Sequence, residues 1–175
     1  MAMSNFPGGF TDGITIRGMP ITMTHPGKVF WVSNASTAQL PNQQTGSNGN
    51  NGTFNSPFAT LDYAIGQCTA SRGDIIMVKP GHAETISTAT AMAWDVAGVA
   101  IIGVGVGGLR PTFTLDTANT ATITVSVANV SVKNVIFVAN FLDIAALFTV
   151  TTATDFTVEY NEFRDTSATL NFINV

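Results

Sequence analysis

A chain of 175 residues, 45% of them apolar, has the length and apolar content of one ordinary folded domain, which excludes disorder for most of it. Charged residues make up only 10% and the formal net charge is −4, so the basic cluster that nucleic-acid binding needs is missing, and the make-up is not that of a helix-rich enzyme. One cysteine, Cys68, permits no internal disulfide. The longest uncharged apolar run, residues 96–109, is shorter than a membrane span and carries five glycines. No charged leader with an apolar core opens the chain, and the expectation is synthesis in a reducing cytoplasm, with neither a membrane nor a nucleic acid as partner.

In chain order, residues 1–27 read as an extended arm rich in Gly, Pro, Met and Thr, with large apolar residues at Phe6, Phe10, Ile14, Ile16, Met19 and Ile21. Residues 28–33 read as a strand, and residues 34–55 as a loop of Asn, Gln, Gly and Ser, expected to be mobile. Its amide-rich stretch 47–52 lacks the carboxylate that a cation site would want. Ser56-Pro57-Phe58 then sets a capping residue before a proline at the first helical position, which predicts a helix over 56–72. Phe58, Leu61, Ile65 and Cys68 form its apolar stripe, and Gly73 ends it.

From residue 73 onward the pattern changes to short alternating apolar runs. Ile75-x-Met77, Val99-x-Ile101, Val130-x-Val132 and Phe156-x-Val158 recur at spacings of 24, 31 and 26 residues, each after a turn residue: Asp74, Gly98, Asn129 and Asp155. Ile123-x-Val125 returns 25 residues later as Phe148-x-Val150. Two strand series at a common period predict stacked rungs, hence an all-β, right-handed, single-stranded parallel β-helix (solenoid) with a short N-terminal capping helix. An antiparallel sandwich is the rival, but it needs tight hairpins between neighbouring strands, whereas the matching strands here lie a full rung apart. The domain reading is an arm over 1–27 and a β-helix over 28–175, made of strand and loop (28–55), capping helix (56–72) and rungs (73–175).

Alternation places Ile75, Met77, Val99 and Ile101 inside the solenoid and Ile76, Val78, Ala100 and Ile102 outside. Strands apolar on both faces are covered on both, here by the chain's own strand near residues 29–32 or by a neighbouring subunit. Farther along, the outward residues become Ser131, Lys133, Thr157 and Glu159, a wet face. Leu170-x-Phe172 begins a further rung, with no polar cap before Val175.

Glycan cleavage would need paired carboxylates, or calcium-binding acids with a base. Glu159, Glu162 and Asp165 with Arg164 make the one local cluster, and Glu159 reads as a solvated ion-pair partner of Lys133 on the previous rung. His25 and His82 lack zinc spacing, and Gly103-x-Gly105-x-Gly107 leads to another strand and not to a phosphate-binding helix. No catalytic residue, metal or cofactor is therefore assigned.

Gly52-Thr-Phe-Asn-Ser-Pro-Phe-Ala-Thr-Leu61 and Gly73-Asp-Ile-Ile-Met-Val-Lys-Pro-Gly-His-Ala-Glu-Thr-Ile86 resemble the opening of pectate-lyase-like β-helix proteins, where a Ser-Pro-Phe-x-Thr-Ile helix caps the first rung. Together with the arm, Asn5-Phe-Pro-Gly-Gly-Phe-Thr-Asp-Gly-Ile-Thr-Ile-Arg-Gly18, the whole resembles β-helix proteins encoded beside major capsid proteins in tailed phages. That resemblance implies a structural virion protein, a capsid decoration or head-fibre protein on the capsid surface, made in the bacterial host cytoplasm. It implies a homotrimer that binds the major capsid protein or other virion proteins through Phe6, Phe10, Ile14, Ile16, Arg17, Met19 and Ile21. The alternative is a tailspike or receptor-binding β-helix that binds or cleaves host polysaccharide.

Overall fold

The computed structural model describes residues 27–35 and 43–175, together with the backbone of two short antiparallel strands, β1 (Thr15–Ile16) and β2 (Met19–Pro20). The rest is a parallel β-solenoid of about four turns with little helix. Its first strand is β3 (Val29–Val32), and the single α-helix among the described residues, α1 (Leu61–Gly66), comes before the full rungs. The first rung holds β4 (Ile75–Val78), β5 (Ala83–Ile86) and β6 (Ala93–Trp94). The second holds β7 (Ala100–Gly103), β8 (Thr112–Leu115) and β9 (Ile123–Val125). The third holds β10 (Ser131–Lys133), β11 (Ile136–Ala139) and β12 (Phe148–Val150), and the fourth β13 (Thr157–Glu159) and β14 (Glu162–Asp165). Like strands stack in parallel into three sheets, β3-β4-β7-β10-β13, β5-β8-β11-β14 and β6-β9-β12.

The corners explain the repeat. Gly73, Gly98, Asn129 and Asp155 each stand two residues before a strand of the first sheet, and each has a positive φ, between 57° and 78°. Glycine takes that left-handed conformation freely, and Asn and Asp tolerate it better than other residues. Each chain reversal is thus set by a residue suited to it, and the next strand starts in the same register.

That column corrects the inward assignment of the first rung. The residue equivalent to Gly98 is Gly73, not Asp74, so Ile76 pairs with Ile101 and Val78 with Gly103, one position off the predicted match. Phe30, Val32, Ile76, Val78, Ile101 and Val132 are buried in the core, whereas Ile75 and Met77 are outward and only partly buried. Val99 is buried at the corner. Lower down the expected register holds, with Val132 paired to Val158 and Phe148 to Ile123. Leu170 and Phe172 bridge to Leu142 and Ile144, which brings the fourth rung round to the start of its third side.

Two further expectations need correction. The strand at 29–32 does not cover an outer face; it pairs edge to edge with β4, Val29 with Ile75 through Val32 with Val78. The helix is shorter than the predicted 56–72, because Phe58 runs parallel beside Val32 as an extended residue, and Thr60, not Ser56, is the N-cap. Phe58 donates its N–H to the Trp31 carbonyl and accepts from Ser33, so the segment satisfies backbone groups on the free edge of β3. Leu61, Ala64 and Ile65 of α1 are buried over the top of the solenoid.

Aromatic side chains stack along the axis inside. Phe113 lies over Phe137 (centroids 6.0 Å apart) and Phe137 over Phe163 (5.8 Å), all at the same register position of successive rungs. Trp94, Phe148 and Phe156 form a second group, with centroids 5.1 to 5.9 Å apart. The fully buried rings among these, Trp94, Phe113 and Phe137, supply much of the hydrophobic stabilisation.

Candidate functional site

The capped end carries the most deeply buried polar groups. Asp74 is fully buried and accepts from the N–H groups of Lys28 (2.7 Å) and Thr69 (2.7 Å) and from Nε and Nη2 of Arg72 (2.7 and 2.6 Å). Burial alone would raise its pKa, but Arg72 and the two backbone donors overcome that and hold it at about 2. The carboxylate ties together the entry to β3, the chain leaving α1 and the corner before β4. It is a structural clamp with no lone pair directed to a ligand.

A second network involves His82 and Glu84. Glu84 occupies the inward position that Phe113 fills one rung later, and its Oε2 accepts the first helical N–H, of Leu61 (3.0 Å). His82 is buried; its Nδ1 accepts from the Asn34 N–H (3.1 Å) and its Nε2 lies 3.0 Å from the same Glu84 oxygen. This pattern suits a neutral imidazole donating through Nε2. On the same sheet Asp165 ends the neighbouring column of Ile86, Leu115 and Ala139 and accepts the Phe172 N–H (3.2 Å), so it too serves the backbone.

The loop expected to be mobile is pinned where the structure describes it. Asn48 Oδ1 accepts from Ala59 (2.9 Å) and Thr60 (3.2 Å), and Asn50 Nδ2 donates to the Thr45 and Pro57 carbonyls. Asn48 and Asn50 are thus engaged within the chain, and residues 43–55 act as a lid on the solenoid. Lys79 lies beneath this lid, donating from Nζ to the Phe54 carbonyl (2.5 Å) with the Phe54 ring 4.1 Å away. Burial lowers its pKa.

The acidic cluster is distributed over two faces. Glu159 lies opposite Lys133 on the outside of the first sheet, Nζ to Oε2 3.6 Å, both about half exposed, which is the cross-rung pair the sequence predicts. Glu162, on the next sheet, is held between Arg164 and Arg110. The Arg164 hydrogen bond, reinforced by its charge and by Arg110, keeps the Glu162 pKa below the ordinary carboxylate range. A carboxyl kept ionised is a poor proton donor to a leaving group. Arg110 is invisible to local sequence reading because it lies 52 residues from Glu162; only the stacked rungs join them.

Other nucleophiles and ligands are similarly committed. Cys68 donates to the Ala64 carbonyl (Sγ to O 3.4 Å), and burial, with Asp74 nearby, pushes its thiol up to about 12. Gly103-x-Gly105-x-Gly107 leads into a 3₁₀ turn, Gly107–Leu109, and a Cβ on Gly103 would lie 2.2 Å from the Asn134 carbonyl oxygen. These glycines serve close backbone packing and turns. Among the described residues no group of three His, Cys, Asp or Glu could hold a metal, and no helix is long and apolar enough to cross a membrane.

Of the residues assigned to attachment, Ile16 and Met19 are backbone partners in the β1–β2 pair. Phe6, Phe10, Ile14, Arg17 and Ile21 lie outside the described residues, as does His25.

No protein-family model and no curated protein matches the chain. Among solved structures it is similar to one described as a rhamnogalacturonan lyase, at 18% identity and a TM-score of 0.52, over 77% of this chain and 36% of that one. At that identity the likeness shows the parallel β-solenoid fold, and the match spans about a third of the lyase's length.

Proposed function

We propose that this chain is a non-enzymatic structural protein of a bacteriophage virion, a trimeric capsid decoration or head-fibre protein that binds the capsid surface through its N-terminal region. The observation that carries the non-enzymatic part is the commitment of the acids: Glu159 and Glu162 are paired with cations, and Asp74, Glu84 and Asp165 accept backbone N–H groups. Capsid attachment is supported by the resemblance of the arm and by its large apolar residues, which would bury on a partner for roughly 1.5 to 3 kcal/mol each, less the entropy of ordering. The test is a truncation. Protein lacking residues 1–27 is expected to melt cooperatively and to fail to co-sediment with particles that lack this protein, while the intact chain binds; equal binding would move attachment onto the solenoid.

The second reading, a receptor-binding solenoid that binds or cleaves host polysaccharide, is favoured by the lyase-like fold. Under the first reading, host polysaccharide incubated with the protein releases neither reducing ends nor unsaturated products. Cleavage abolished by Glu159→Gln or Glu162→Gln would establish the second.

A further inference from the structure

The three outer faces differ in chemistry. On the β5-β8-β11-β14 sheet the outward positions are mixed, with Thr85, Thr112, Thr114, Glu162 and Arg164 beside a buried Ile136 and a partly buried Val138, and on β9 and β12 they are Thr124 and Thr149. The first sheet is unlike them: Val29 and Trp31 of β3, Ile75 and Met77 of β4, and Ala100 and Ile102 of β7 form an unbroken outward apolar patch, Val29 exposed and the others partly so. Phe54, 43% exposed and packed edge-on to Trp31 at 4.8 Å, widens it. Below β7 the same column turns polar, with Ser131 and Lys133, then Thr157 and Glu159.

We infer that this face is where copies of the chain associate side by side, with solenoid axes parallel and pointing the same way. The inference rests on the trimer of the proposed function and adds its surface and orientation. The axial change in polarity selects the occupant. A copy packed in the same direction, level with the first, sets apolar rungs on apolar rungs and brings a second Lys133–Glu159 pair beside the first, each charge half exposed and able to share its partner across the interface. A copy packed in the opposite direction would set the Lys133–Glu159 pair against Trp31 and Ile75 and desolvate it with only apolar groups across the interface. A second copy carries the matching gradient by construction.

The experiment uses the full chain. Light scattering after gel filtration is expected to give a trimer for the parent and a threefold smaller mass for Met77→Lys/Ile102→Lys, with the cooperative melt kept, whereas Thr114→Lys on the neighbouring face leaves the mass unchanged. Should the double variant fail to fold, Ser131→Cys provides an independent test. Parallel packing brings the introduced thiols of two copies together, and mild oxidation yields a cross-linked dimer on a denaturing gel. A monomeric parent would overturn both the trimer and this surface, leaving capsid attachment to the truncation test. A trimer that survives the double lysine substitution, or that never cross-links through residue 131, would overturn the surface or the orientation alone.

Discussion

Val132→Asp is expected to cost on the order of 4 to 5 kcal/mol or more, enough to abolish the cooperative melt of a marginally stable domain. Val132 is 1% exposed and sits in register between Ile101 above and Val158 below, with no polar group positioned to accept a carboxylate's company. In a solenoid each rung is stabilised mainly by its neighbours, so the damage extends to the second and fourth rungs. Thr157→Asp, exposed and outward on the adjacent strand, is the control and should change stability by no more than about 0.5 kcal/mol. Urea titration followed by circular dichroism measures both. Coincident curves for Val132→Asp and the parent would show that β10 does not hold this register.

Asp74→Ala should be nearly as damaging, at about 3 to 5 kcal/mol, because it leaves the Lys28 and Thr69 N–H groups and the Arg72 guanidinium without their acceptor. The same residue predicts an acid limb. Its folded pKa of about 2 lies below the roughly 3.9 of an unfolded Asp, so its contribution is fully present above that unfolded value and is lost as pH falls through the folded one. Stability of the parent should therefore decline between about pH 4 and about pH 2 more steeply than that of Asp74→Asn, which cannot titrate. Parallel slopes for the two proteins would show that Asp74 is not the group responsible.

The lower rungs were legible because two signals coincide there: an apolar alternation, and a corner residue of the right kind in Gly98, Asn129 and Asp155. At the first rung they conflict. Asp74 has the chemistry of a turn residue, yet it is drawn inside by Arg72 and two backbone donors, and the corner falls on Gly73. The capped end was misread for a related reason. Ser56-Pro57 carries a helix-start signal, but Phe58 gains more by pairing with β3, and the helix waits until Thr60. Polar composition suggests a loose loop at 34–55, and only the fold shows Asn48 and Asn50, in its described part, spending their amides on its closure. Contacts such as Arg110 with Glu162 depend on which rungs are adjacent, and no local pattern encodes them.

The direction of the ladders also governs how the molecule would answer a pull. Backbone hydrogen bonds between stacked strands point along the solenoid axis, so tension applied between the two ends loads them lengthwise, one ladder at a time, like a zipper and not in shear. Extension should then proceed in discrete steps, one turn of the ladder at a time. Each step releases one turn of chain; the 26 residues from the start of β10 to the start of β13 correspond to roughly 90 Å of contour at full extension. A solenoid of this kind would yield gradually under load, shedding its turns in succession and not failing at once.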